Sequence, residues 1–259
     1  MHPSRQPRDA QLHPNRPDQP TPTRWTDHRL ATAYATRIDL LDRDTAWPAV
    51  TPLLTPATPR RLLGRPDAIV LELGAGIAAY AHYLAEHHWT RTHAVDISPT
   101  LHRIGEHRHN DAWILRTTPD RAGRLPLRPH QCTAALAHLT LCHQPTDAHT
   151  LALLTETRRA LRPRANFAIV EPGEFGRDFQ LLRYGHPHAA TEPRPGEPYP
   201  IDYTLADGTR LRTTAYHRTP DQTAQLLRQA GFTLDEIRPL PLPAYGGTPF
   251  TLWTAHATD

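Results

Sequence analysis

The chain has 259 residues, a net charge of +3 and only two cysteines. This length fits one domain with additions and is sufficient to bury a substantial core. No apolar run approaches the roughly 18 residues of a membrane span, the start lacks the apolar segment of a signal peptide, and two cysteines suggest no disulfide framework. We therefore expect a cytoplasmic protein with no membrane partner.

The surplus of basic charge lies in the first 24 residues, where four arginines accompany two aspartates. The remaining chain is close to neutral, whereas nucleic-acid binders more often show a clustered basic face, so we expect no nucleic-acid partner. The same segment holds six prolines and almost no large apolar side chain. We predict that residues 1–24 form a disordered tail rich in proline and arginine.

Apolar residues at helical spacing follow this tail. Leu30, Tyr34 and Ile38 recur at helical intervals, and Pro48 begins a second apolar segment. We predict two or three helices that form an N-terminal cap over residues 25–64.

Strand and helix patterns then alternate as far as residue 171. The predicted strands cover residues 68–73, 93–95, 112–115, 132–136 and 166–171, and the predicted helices cover 77–86, a segment after Ser98-Pro99, and 147–161. Such alternation implies a parallel sheet with helices on both faces.

The C-terminal part departs from plain alternation. A loop rich in proline, glycine and arginine is predicted at residues 172–199, and an Ala-Asp-Gly turn at 206–208 predicts a hairpin. Thr219 and Gln222 form a capping-box pattern at the start of a helix. The strands predicted in this part cover residues 201–205, 210–216, 232–240 and 250–257.

The strongest motif joins the first two predicted strands. The first strand ends in Glu72 and runs into Gly74 and Gly76, which form a tight turn without Cβ atoms before a helix. About twenty residues later the second strand ends in Asp96, the position from which a doubly wound sheet holds a ribose. A carboxylate at Glu72 would repel a pyrophosphate and would suit a cationic ligand that lacks phosphate.

These residues resemble the class I S-adenosylmethionine-dependent methyltransferases, and the resemblance extends from about residue 68 to the C-terminus. It implies an α/β, Rossmann-like doubly wound sheet of seven strands, mostly parallel with an antiparallel edge strand. It further implies a methyltransferase domain over residues 65–259 that carries N-terminal helices and a β-hairpin lid insertion at about 172–218. We expect a monomer or homodimer.

The resemblance also implies a function and a cofactor site. Methyl transfer from S-adenosylmethionine to an oxygen or nitrogen of a small molecule is expected, in bacterial specialised metabolism. The residues expected to bind the cofactor are Glu72, Gly74, Gly76, Asp96, Ile97, Ala137 and His138, with Thr118 or Asp120 at the adenine amino group. Thr118 fits by its distance from the third strand and Asp120 by its chemistry, and either could instead serve ordinary turn chemistry.

Candidate catalytic residues follow from the same resemblance. His138 falls at the carboxyl end of the fourth strand, where an imidazole is suited to remove a proton as the methyl group arrives. A histidine that merely packs near the pocket is the alternative, and His217 is a second candidate base. Tyr34, His143 and Tyr216 are expected to contact the substrate, and no metal ion is expected. His143 also matches a histidine that is frequent in the family, for which a structural role is the alternative.

Three departures from the family pattern keep another function open. Ala78 stands where a third glycine is usual, Cys132-Thr133 replaces Phe-Asp, and Arg164-Ala165 replaces a pair of glycines before the fifth strand. The alternative is a protein of this fold that binds S-adenosylmethionine without transferring methyl, as a partner subunit or in another reaction. A nicotinamide-dependent dehydrogenase and a nucleic-acid or protein methyltransferase are weaker alternatives.

Overall fold

The computed structural model describes residues 21–35, 46–54, 69–88, 90–109, 111–172, 197–242 and 247–259. Most of the tail predicted at residues 1–24 and of the loop predicted at 172–199 lies outside these residues, as does part of the helical cap predicted at 25–64.

The strands, in chain order, are β1 (Thr21–Pro22), β2 (Ile69–Leu73), β3 (Arg91–Val95), β4 (Ile114–Thr117), β5 (Cys132–His138), β6 (Leu161–Pro172), β7 (Pro198–Thr204), β8 (Arg210–Tyr216), β9 (Phe232–Leu242) and β10 (Gly247–Ala257). The helices are α1 (His28–Ala35), α2 (Ala46–Leu54), α3 (Ala79–His88), α4 (Pro99–Arg108), α5 (Asp147–Ala160) and α6 (Pro220–Gln229). A 3-10 turn covers Leu141–His143.

Seven of these strands form the main sheet, in the order β4-β3-β2-β5-β6-β10-β9. All neighbouring pairs from β4 to β6 are parallel, and β10 runs antiparallel to both β6 and β9. This topology confirms the fold predicted from the sequence, a Rossmann-like, mostly parallel sheet of seven strands.

Apolar layers cover both faces of this sheet. On β2 the alternation is direct, because Val70 packs with α1, α2 and α3 on one face, while Leu71 and Leu73 pack with α5 and α6 on the other. With both faces covered by side chains, the strand ends are what remains available to a ligand, and ligands in such sheets bind at the carboxyl ends.

A second, smaller sheet has the order β1-β8-β7. Its hairpin follows the predicted boundaries closely, with an antiparallel register that pairs Tyr203 with Leu211. Thr21 and Pro22 pair in parallel with β8, so these two residues of the predicted disordered tail form a strand instead. Disorder of residues 1–20 stays a prediction.

Two local predictions are confirmed in detail. The Thr219 hydroxyl and the Gln222 side chain form the reciprocal capping box at the start of α6. Near the start of β6, Arg164 adopts a positive φ of 60°, the conformation that the missing glycines were expected to impose on this turn. The helix predicted to reach residue 161 ends at Ala160, because β6 begins directly at Leu161.

Candidate active site

A cleft opens at the carboxyl ends of β2, β3 and β5 and encloses about 690 Å³ of empty space, its open mouth included. The described residues that line it are Trp25, Tyr34, Leu73, Gly74, Gly76, Val95, Asp96, Ile97, Leu101, Pro119, Leu125, Leu139, Thr140, His143, Gln144 and Leu153.

The glycine turn forms the floor of this cleft. Gly74, Gly76 and Ala78 have φ values of 62°, 57° and 60°, so all three adopt the left-handed conformation. Ala78 therefore keeps the backbone path that glycine would take, at a conformational cost of about 1–2 kcal/mol. The loss of the third glycine has strained this turn without changing its course.

Asp96 is fixed at the end of β3 by two backbone amides. Gly76 donates to Oδ2 at 2.9 Å and Ser98 donates to Oδ1 at 2.8 Å. Burial raises the pKa of this carboxyl, and the amides of Ser98 and Gly76 lower it. An ionised carboxylate has about four acceptor positions, so each oxygen retains capacity for one further donor such as a ribose hydroxyl.

Of the residues predicted to contact the adenine ring, some line the wall of the cleft beside Asp96 and others do not. Ile97 lines the cleft with 53% of its surface exposed, which offers an apolar face to a planar ring. Thr118 and Asp120 line a different, open groove. Asp120 accepts the amides of Ala122 and Arg124 and so performs turn chemistry, while Pro119, between Thr118 and Asp120, does line the cleft.

Glu72 does not line the cleft. Its side chain is buried, and a hydrogen bond from the amide of Ala81 in the first turn of α3 favours the ionised form. Burial is the stronger influence and raises the pKa of Glu72 to about 8. Burial thus disfavours the ionised form that was expected to suit a cationic ligand, and a contact of Glu72 with the cofactor stays a prediction.

Ala137 and His138 end β5 beside the cleft but do not line it. Ala137 is fully buried in the apolar layer that packs with α5 and α6. The His138 ring contacts Phe250 edge-on, at 6.0 Å between centroids. Leu139 then adopts a positive φ of 52°, which ends the strand abruptly. Because of this bend, the residues after Leu139 reach the cleft while His138 stays on the strand.

Tyr216 and His217 lie in another place. They line a small crevice together with Glu171 and Tyr199, and neither belongs to the cleft that holds Asp96. The structure therefore does not bring His217 together with the glycine turn.

Tyr34 and His143 are the predicted substrate residues that do line the cleft, and Trp25 joins them. The Trp25 ring packs edge-on against Tyr34 at 5.0 Å and against His143 at 4.9 Å. It also contacts Tyr203 of the hairpin at 6.2 Å. These four aromatic side chains, which we call the aromatic cluster, join α1, the small sheet and the 3-10 turn over one side of the cleft.

Glu171 is a residue that sequence analysis missed. It ends β6 with only 5% of its surface exposed, and its carboxylate accepts the amides of Thr140, Leu141 and Cys142 at 2.7–2.9 Å. Burial raises its pKa, against the lowering effect of these amides. The carboxylate thus fixes the start of the 3-10 turn.

Arg218 holds the other end of the same turn and was also missed. Its side chain is 7% exposed and donates to the carbonyl oxygens of Leu141 at 2.9 Å and Gln144 at 2.8 Å. Its Nε donates to Asp147 at 3.0 Å. A carboxylate at the amides and a guanidinium at the carbonyls therefore clamp the turn that carries His143.

These features fit a bound S-adenosylmethionine. Gly76 presents bare backbone to the cleft, and an added Cβ would lie 3.4 Å from the Tyr34 ring. Asp96 retains acceptor capacity, and Ile97 offers an apolar surface beside it. Across the described residues, no group of three or more His, Cys, Asp or Glu side chains is arranged to hold a metal ion. In the same part of the chain, no helix is long and apolar enough to cross a membrane.

Comparisons with known proteins agree with this geometry. A family model described as "Methyltransferase domain" matches residues 71–169. N-demethylindolmycin N-methyltransferase of Streptomyces griseus is 27% identical over 184 residues, which cover 70% of this chain and 76% of that protein.

Solved structures share the fold. The 1,6-didemethyltoxoflavin-N1-methyltransferase of Burkholderia thailandensis, with bound 1,6-didemethyltoxoflavin and S-adenosylhomocysteine, is 23% identical with a TM-score of 0.54, over 89% of this chain and 86% of that one. The CcbJ methyltransferase of Streptomyces caelestis is 15% identical with a TM-score of 0.62, over 85% of this chain and 90% of that one.

The glycine turn, Asp96, the sheet order and the matched domain lead to one assignment. The cofactor is S-adenosylmethionine, residues 71–169 form a methyltransferase domain, and the fold is the one shared by S-adenosylmethionine-dependent methyltransferases.

Proposed function

We propose that this enzyme transfers a methyl group from S-adenosylmethionine to a nitrogen or oxygen atom of a small molecule of bacterial specialised metabolism. The observation that carries the proposal is the cleft itself, in which the glycine turn and Asp96 form one side and the aromatic cluster covers the other. The Streptomyces relative and the Burkholderia neighbour, both named as N-methyltransferases of small molecules, support a substrate of the same kind.

Four residues would hold the cofactor. Gly74 and Gly76 let the backbone approach the ligand closely, Asp96 would accept the ribose hydroxyls, and Ile97 would contact the adenine face. When bound, the cofactor supplies an electrophilic methyl group on a sulfonium. The protein's own contribution is then to align the acceptor atom with that group and to exclude water.

The aromatic cluster supports the exclusion of water from the cleft. Trp25 packs against Tyr34 from α1, His143 from the turn and Tyr203 from the hairpin, so a single ring closes the gap between three elements. Large aromatic rings at this position give the acceptor side of the cleft an apolar wall. The predicted role of residues 172–218 as a lid is consistent with the hairpin's contact to Trp25.

The alternative, cofactor binding without methyl transfer, was raised by the missing glycines. Both substituted turns keep the left-handed backbone that glycine would adopt, since Ala78 and Arg164 have φ values of 60°. The substitutions thus leave the path of the chain intact, which favours a retained activity.

Calorimetric titration with S-adenosylmethionine and S-adenosylhomocysteine tests the cofactor site. We expect micromolar binding to the intact protein and its loss in Asp96→Ala, whereas Asp120→Ala, outside the cleft, should bind as the wild type does. A coupled assay for S-adenosylhomocysteine release with small N–H and O–H acceptors then tests transfer. Binding without release of product over a broad acceptor set would favour the alternative, and absence of binding would refute the proposal.

A further inference from the structure

We propose that His143 is the proton acceptor of this enzyme and that its substrate is a flat ring bearing an N–H or O–H group. The proposal rests on the function proposed above and adds to it the identity of the base and the class of acceptor.

The hydrogen bond of the His143 ring determines which nitrogen is basic. Nδ1 lies 3.2 Å from the carbonyl oxygen of Thr214 in β8. A carbonyl oxygen only accepts, so Nδ1 carries the hydrogen, and the neutral ring has its lone pair on Nε2. A histidine whose Nδ1–H is oriented by an oxygen, with a basic Nε2, is suited to take a proton from a reacting group.

Packing holds this ring at the cleft. His143 lines the cleft, and Trp25 meets the ring edge-on at 4.9 Å with an interplanar angle of 75°. By contrast, His138 contacts Phe250 outside the cleft lining, and His217 lines a separate crevice. Of these three histidines, therefore, only His143 shares a cavity with Asp96.

The charged groups around the turn fix the position of His143 without contacting a substrate. Glu171 binds the amides before it, and Arg218 binds the carbonyls of Leu141 and Gln144 on either side of it. The negative charge of Glu171 and the positive charge of Arg218 both face this short turn. Asp96 lies across the cleft from His143, and Tyr34 lies on the other side of the Trp25 ring. Glu171 and Arg218 are thus positioning residues.

The class of acceptor follows from the chemistry of the wall. Trp25, Tyr34 and Leu139 offer aromatic and apolar surface, which suits a flat ring. The described lining residues include no arginine, so these residues themselves offer no guanidinium to a carboxylate or phosphate on the acceptor. A ring nitrogen or a phenolic oxygen that still bears its hydrogen is a weak nucleophile and needs a base.

The proposed step balances as follows. The N–H or O–H bond of the acceptor breaks and its proton goes to Nε2 of His143. The electron pair left on nitrogen or oxygen forms the bond to the methyl carbon, while the bond from that carbon to sulfur breaks and its electrons stay on sulfur as the neutral thioether. Solvent then takes the proton from His143.

Nitrogen-15 NMR of the histidine rings tests the proposal without turnover. The protein is labelled at histidine, saturated with S-adenosylhomocysteine, and the His143 signals are identified by their loss in His143→Gln. We expect the neutral Nδ1–H form. The Nε2–H form would place the lone pair on the wrong nitrogen and would overturn the proposal.

Turnover of ring N–H compounds, phenols and aliphatic amines supplies the second test. We expect His143→Gln to lower kcat by about 10²–10⁴-fold with little change in KM, and to remove the acid limb of the pH profile. Imidazole should partly restore His143→Ala. His149→Gln, on the exposed start of α5, is the matched control and should keep full activity.

The outcomes separate this proposal from the general function. If His143→Gln keeps its kcat while His138→Gln or His217→Gln loses it, His143 is not the base although the enzyme is a methyltransferase. If the wild-type enzyme methylates none of these acceptors, the proposed function fails for this class, and the NMR measurement still decides the state of His143.

Discussion

The side chain of Thr140 occupies the space that a Cβ atom on Gly74 would need. Such a Cβ would overlap the Thr140 hydroxyl oxygen and lie 2.8 Å from its Cγ2, and the hydroxyl itself donates to the carbonyl oxygen of Leu73 at 2.8 Å. Glycine is therefore required at position 74 for two reasons, the positive φ of the backbone and the close approach of the Thr140 side chain. The contact ties the turn after β5, which carries His143, to the turn after β2, which carries the cofactor site.

Replacing Gly74 by alanine tests that contact against a matched control. Gly74 and Gly208 both have positive φ, but a Cβ on Gly208 would meet nothing within 4 Å. Gly208→Ala should therefore lower the free energy of unfolding by about 1 kcal/mol and leave cofactor binding unchanged. Gly74→Ala should cost about 2–4 kcal/mol and weaken S-adenosylmethionine binding more than tenfold. Urea unfolding and calorimetry measure both, and equal effects of the two variants would contradict the contact.

Restoring the missing glycine should stabilise the enzyme. Ala78→Gly relieves a left-handed alanine and should raise the free energy of unfolding by up to about 0.5 kcal/mol, after allowance for the larger entropy of the unfolded chain and for the loss of a buried methyl group. Ala79→Gly, one residue later at the start of α3, is the control and should destabilise by about 0.5–1 kcal/mol. Denaturant titration of the two variants should give shifts of opposite sign. Shifts of the same sign would mean that Ala78 is not strained.

The glycine turn was predictable because its information is local. Gly74, Gly76 and Asp96 follow two apolar strands in a pattern that the chain itself displays, and the sheet order follows from the alternation of strands and helices. The role of Glu72 was not predictable in the same way. Which side of a buried strand faces the ligand depends on how α3 packs over it, and the sequence contains no direct sign of that packing.

Glu72→Gln should change the pH dependence of stability. The folded pKa of Glu72, about 8, lies above its value in the unfolded chain, so the folded protein binds more protons between roughly pH 4.5 and 8. The contribution of this group to stability is therefore greatest at low pH and falls, by up to about 1.4 kcal/mol per pH unit, as the pH rises through that window. Glutamine, which does not ionise, should remove this decline.

Thermal unfolding between pH 5 and 9 would measure the effect. Glu156→Gln is the control, because the Arg159 guanidinium lowers the pKa of Glu156, and its titration lies below this window. Glu72→Gln should also bind S-adenosylmethionine within threefold of the wild type, because Glu72 does not line the cleft. A large loss of affinity would restore the direct role that the sequence suggested.

The identity of the base was hard to predict for a related reason. The sequence places His138 at the end of a strand and His143 five residues later, but it does not reveal that Leu139 takes a left-handed backbone and turns the chain toward the cleft. Glu171 and Arg218 escaped notice because their partners lie 29–31 and 74–77 residues away. Such contacts belong to the tertiary structure and have no local pattern.

Arg218 offers a direct test of the clamp on the 3-10 turn. Arg218→Met keeps most of the side-chain volume and removes the donors to the carbonyls of Leu141 and Gln144, which should lower the free energy of unfolding by about 2–3 kcal/mol. Asp147→Asn removes the ion pair with Arg218 and a favourable charge in the first turn of α5, keeps both carbonyl contacts of Arg218, and should cost less than about 1 kcal/mol. Lysine at position 218 should recover little, because an ammonium does not have the planar fork that reaches two carbonyls at once.

Kinetics distinguish a positioning role of Arg218 from a merely stabilising one. Because the turn carries His143, Arg218→Met should lower kcat about tenfold at a temperature where the variant is fully folded. The affinity for S-adenosylmethionine should change less, since Glu171 still fixes Thr140 against Gly74. An unchanged kcat in the folded variant would show that the turn keeps its shape without the guanidinium, and that Glu171 and the Thr214 carbonyl are sufficient to hold His143.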